Sequence, residues 1–112
     1  MAPKRNPLKL NTLQLKTLTI LQALCDDDVQ EDARNYGKAI PLLPSPHGNH
    51  FHVGPYIVMV KDATGLNNVS VWAALTRKGL VDGVPPAHAR LTSLGVDYQT
   101  GFSDKILRGH DH

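Results

Sequence analysis

The densest group of side chains able to do chemistry is His47-Gly48-Asn49-His50-Phe51-His52. On an extended strand His50 and His52 point to one face, and His47 can fold back across the Gly-Asn pair. Three neutral imidazoles suffice to anchor Zn²⁺, Ni²⁺ or Cu²⁺, leaving a fourth position for water, a carboxylate or another subunit. His88, His110 and His112 are further candidate ligands. One expectation is therefore a His-based metal-binding or metal-sensing protein carrying a divalent transition metal, Zn or Ni. The other is plainer. No Cys pair with zinc-finger spacing accompanies the histidines, and groups on a loop and a strand surface hydrogen-bond locally without any metal. Catalysis would also need a general base and a pocket, neither of which is legible, so the chain is not expected to be an enzyme. It holds no P-loop, no G-x-G-x-x-G, no G-x-S-x-G and no H-E-x-x-H.

Cys25 falls on the apolar face of a helical pattern and reads as core filler, not as a redox sensor. A single cysteine forms no internal disulfide, so nothing argues for an oxidising compartment. Trp72 and Tyr98 read as core or dimer-interface groups. Three Tyr, two Phe and one Trp are scattered without the basic-and-aromatic interleaving of an RNA-binding surface.

The elements that must position these groups fit in one domain, because 112 residues are too few for two. At 41% hydrophobic and 20% charged, the chain is neither disordered throughout nor fibrous. No run of about 18 apolar residues exists, so no membrane span is expected. The basic start (Lys4, Arg5) leads into a stretch broken by Asn11, Thr12, Gln14, Lys16 and Thr17, unlike a secretory leader. These exclusions make a cytoplasmic location the expectation. The net charge of +2 is modest for a nucleic-acid binder, but it is unevenly spread. Residues 26–32 hold five of the ten acids and no Lys or Arg, leaving 12 basic against 5 acidic residues elsewhere.

Residues 1–9 read as a polar arm, residues 10–108 as the domain and residues 109–112 as a loose tail. Asn11 with Gln14 reads as a capping box opening a helix over 12–25, with Leu10 and Leu15 as its staple. Lys38 to Leu43 is at best a short edge strand between prolines, and residues 50–53 read as another strand. Tyr56 to Ala63 is ambiguous, since Tyr-Ile-Val-Met-Val is β-prone by composition, but Pro55 at a first helical position and Ala63-Thr64-Gly65-Leu66 as a helix end favour a short helix, with Gly65 taking a positive φ. Asn67 or Asn68 caps the next helix, whose Val71, Trp72, Leu75 and Leu80 recur at helical spacing until Gly79. Residues 80–91 then read as a hairpin with Asp82-Gly83 as a turn and Pro85-Pro86 in the loop. Thr92 caps a helix ending near Gly101, and Ser103 to Leu107 predicts a last helical segment.

Asp62-Ala63-Thr64-Gly65-Leu66 followed by Val71-Trp72-Ala73-Ala74-Leu75-Thr76-Arg77-Lys78-Gly79-Leu80-Val81 resembles the second and third helices of the winged helix-turn-helix superfamily. Arg90-Leu91-Thr92-Ser93-Leu94-Gly95-Val96-Asp97-Tyr98 resembles the return from the wing in MarR- and PadR-like transcriptional regulators. The resemblance implies an α+β, mainly α, winged helix-turn-helix fold with a small β-hairpin wing. It implies a cytoplasmic DNA-binding regulator acting as a homodimer, paired through the first helix and the segment after Gly101. Asn67, Asn68 and Ser70 would then face the major groove, and Lys61, Arg77, Lys78 and Arg90 would meet phosphates. The sequence departs from the pattern at Lys61, where a small residue is usual, and in the long Pro- and His-rich stretch before the second helix. An alternative within the same fold is a protein-protein interaction module without DNA binding, which the small net charge and the acidic run favour.

Overall fold

The computed structural model describes residues 6–26, 38–39, 48–53, 56–84 and 88–109. The expectations placed on residues 1–5, on the acids after Asp26, on residues 40–43, on His47, Pro55, Pro85-Pro86 and the last three residues lie outside that set. So do those on the side chains of Cys25 and His88.

Helix α1 (Thr12–Asp26) begins at a reciprocal cap. The Gln14 N–H donates to Asn11 Oδ1 at 2.8 Å, and the Asn11 N–H donates to Gln14 Oε1 at 3.0 Å, so two otherwise orphaned donors are satisfied together. Leu18, Ile20, Leu21, Ala23 and Leu24 are buried, and so are Thr17 and Thr19 between them. Each threonine hydroxyl turns back onto its own helix, to the carbonyls of Leu13 and Leu15, and Thr19 also meets the Thr100 hydroxyl. A helix buried around its circumference is the centre of a domain. Indeed α1 contacts elements from most of the chain. From Leu18 to Leu24 its apolar residues are covered by their own chain, while Leu13 and Leu15 are half-buried.

The segment before α1, assigned by its composition to the polar arm, is docked from Asn6 onward. The Tyr98 hydroxyl donates to Asn6 Oδ1 at 2.6 Å and accepts the Leu8 N–H at 3.1 Å. Lys9 takes a left-handed φ of 58° to deliver Leu10 into the core. Partners far along the chain, Tyr98 and Lys78, make this segment structural.

Among the described residues, six strands form two antiparallel three-stranded sheets. In the first, β5 (His88–Leu91) lies between β1 (Lys38–Ala39) and β4 (Val81–Val84). In the second, β3 (Tyr56–Met59) lies between β2 (His50–Val53) and β6 (Arg108–Gly109). The strands expected at residues 38–43 and 50–53 are present as far as they are described.

Two expectations are corrected. Residues 56–59 are a strand, not part of a helix, and 3-10 turns at Val60–Asp62 and Thr64–Asn67 follow it. Pairing on both edges of the β-prone Tyr-Ile-Val-Met outweighs the local helical signals of Pro55 and Ala63. Asp82-Gly83 is not a turn either. Both residues lie inside β4, across from Arg90 and Ala89.

The helices α2 (Val69–Arg77), α3 (Ser93–Asp97) and α4 (Ser103–Ile106) complete an α+β domain. Thr92 caps α3 as expected, its hydroxyl accepting the Gly95 N–H at 3.0 Å. Among the described residues, no helix is long and apolar enough to cross a membrane.

Candidate nucleic-acid interface

Helix α2 is held at both ends by local chemistry. Asn68 Oδ1 accepts the Ser70 N–H at 2.9 Å and the Val71 N–H at 3.4 Å, so this side chain caps the helix. Replacing Asn68 by Ala is expected to cost about 1 kcal/mol, whereas Asn67→Ala, at an exposed position without that bond, stays within about 0.5 kcal/mol. Urea denaturation of the two variants checks the difference.

At the other end Gly79 adopts φ +80°. Its N–H donates to the Thr76 carbonyl and the Leu80 N–H to the Leu75 carbonyl, both at 3.0 Å. This pair of bonds is a Schellman closure, and it requires the left-handed residue that glycine supplies.

One side of α2 is fixed in the core. Val71, Trp72, Ala74 and Leu75 are buried, and the Trp72 indole N–H donates to the Leu66 carbonyl at 2.9 Å, tying the helix to the preceding 3-10 turn. Leu66 is buried and Val60 packs against the same cluster. The opposite side carries Val69, Ser70, Ala73, Thr76 and Arg77, all exposed. Val69 is 81% exposed.

Gly65, inside the second 3-10 turn, is needed for space. Its φ is not positive; instead a Cβ there would run into Thr17 Oγ1 of α1.

The cations are not equivalent. Arg77 and Lys61 are exposed. Lys78 turns toward the chain's beginning, its ammonium donating to the Leu8 carbonyl at 2.6 Å. Arg90 lies on the middle strand of the first sheet, half-buried, with Asp82 directly across from it. Residues 89 and 91 on either side of Arg90 face the core, as does Val81. Next to Lys61, the buried Asp62 forms an ion pair with Lys16 at 2.9 Å. From Ala63 to Val81 there is no acidic residue.

His50 and His52 stand together on the second sheet, their ring centroids 5.0 Å apart. They occupy one face of β2, as strand alternation anticipated. Among the described residues, no group of three His, Cys, Asp or Glu could hold a metal.

Compared with family models, curated proteins and solved structures, the chain matches none.

Proposed function

We propose that this chain is a winged-helix domain that binds duplex DNA through the outer side of α2, as a transcriptional regulator would. The observation that carries the reading is the bare face of α2, made of small and polar side chains ending in Arg77, within a stretch free of acids. Supporting it is the order of elements: a helix, a short strand, the β2–β3 hairpin, a pair of 3-10 turns, α2, and a two-stranded ribbon. The ribbon joins that short strand in the order β1-β5-β4. A helix with a slim outer face fits the major groove of B-DNA, about 12 Å wide. In this reading Asn67 and Ser70 approach base edges, Val69 meets a thymine methyl, and Arg77 and Lys61 neutralise phosphates. Homodimeric assembly on paired half-sites belongs to the same proposal, but it must use surfaces other than the middle of α1.

The rival reading, docking on a protein, is favoured by Asp82 facing Arg90 and by the diversion of Lys78 to Leu8. Salt dependence separates the two. Fluorescence anisotropy with a random-sequence 30-mer duplex pool should show binding that weakens steeply between about 50 and 200 mM salt. Arg77→Ala should lower the log-log salt slope by about 1. Absence of binding at low salt, or binding indifferent to salt and to Arg77→Ala, would remove DNA from the account.

A further inference from the structure

The peptide groups of Leu8 are gripped from two distant places in the chain. The Tyr98 hydroxyl accepts the Leu8 N–H at 3.1 Å, and the Lys78 ammonium donates to the Leu8 carbonyl at 2.6 Å. Tyr98 is the fixed partner. It is buried, and the Gln22 amide donates to the carbonyls of Gly95 and Tyr98, both at 2.8 Å, which anchors the catch to α1. Asn6 adds a second hold, its Oδ1 accepting from the Tyr98 hydroxyl and from the Leu10 N–H. The segment they hold has little else to keep it down. Pro7 and Lys9 are exposed and Leu8 is half-buried, so its attachment is largely polar, as in segments that open locally. Lys9, at its left-handed φ of 58°, is a strained joint between this segment and the buried Leu10.

We propose that residues 6–9 are a strap that withholds Lys78 from DNA phosphates, and that its release from Tyr98 adds a second cation to the end of α2. The chemistry is a competition for one ammonium. Lys78 has three donors, and in the closed arrangement it gives one to a neutral carbonyl of its own chain. A phosphate oxygen is a stronger acceptor for the same N–H. Arg77, the preceding residue, is already exposed, so release turns a single cation into an adjacent pair. The phosphate role rests on the function proposed above, whereas the gating of Lys78 does not.

Acetylation of the full chain by limiting N-hydroxysuccinimidyl acetate, read lysine by lysine with peptide mass spectrometry, tests the gate without DNA. In the wild type Lys78 should react more slowly than the exposed Lys61. Tyr98→Phe keeps the ring and removes both hydroxyl bonds, so Lys78 should react on the order of tenfold faster. Lys16, paired with Asp62 at 2.9 Å, reports general loosening and should not change. Equal Lys78 rates in the wild type and Tyr98→Phe, or a rise shared by Lys16, would overturn the proposal. Fluorescence anisotropy with the duplex pool then reads the consequence. Lys78→Ala should leave the log-log salt slope of the wild type unchanged and lower that of Tyr98→Phe by about 1. If Tyr98→Phe frees Lys78 and Lys78→Ala still leaves its slope unchanged, the phosphate role is overturned. If none of these proteins binds the duplex, the proposed function fails with that role, and the acetylation rates alone decide the strap.

Discussion

Gly95→Ala is expected to destabilise the fold by about 3 kcal/mol, at the upper end of what overpacking usually costs. A Cβ at this position would collide with the carbonyl oxygen of Leu80, with the Leu80 carbonyl carbon and Leu91 Cδ2 each 3.1 Å away. The obstacle is backbone, and it is pinned. The Leu80 carbonyl accepts the Thr92 N–H at 3.1 Å, and the Leu80 N–H closes α2. Neither partner can retreat without opening the end of α2 or the start of α3. Thermal unfolding should show Tm falling by on the order of 12 °C. Gly48→Ala is the control: its φ is +71° but nothing lies within 4 Å, so it bears only the left-handed strain of roughly 1–2 kcal/mol. A loss at Gly95 no greater than at Gly48 would contradict the close approach of α3 to Leu80.

Gly65→Ala is expected to cost about 2 kcal/mol, and here the loss should be recoverable. The atom in the way is the Thr17 hydroxyl, with Thr17 Cβ at 3.2 Å and Leu13 Cδ1 at 3.4 Å behind it. Thr17→Ala removes that oxygen and gives up a bond to the Leu13 carbonyl and one buried methyl. The double variant should therefore be more stable than Gly65→Ala alone, a coupling that a double-mutant cycle measures directly. Additive losses would mean that α1 and the second 3-10 turn do not meet at this pair.

The contrast between the two glycines shows what could be seen from the residues alone. Features settled within a few positions were legible. These are the Asn11–Gln14 box, the Asn68 cap, the Gly79 closure and the Thr92 cap, each of which depends on neighbours no more than five residues away. Gly65 was singled out correctly but for a backbone angle it does not adopt, because the reason for it stands on α1. Residues 56–59 carry helical punctuation on both flanks, and their strand state is imposed by β2 and β6. The cations were recognisable by type but not by circumstance. Nothing local brings Lys78 to the Leu8 carbonyl or Asp82 opposite Arg90.

The encirclement of α1 has a consequence for how this molecule comes apart. Fifteen residues form a helix that is marginal in water by itself, yet both sheets rest on it. Peeling either sheet away strips the helix of its cover, and losing the helix leaves each sheet with a bare inner side. Neither half has anything to persist around, so melting should proceed as a single event without a half-folded survivor.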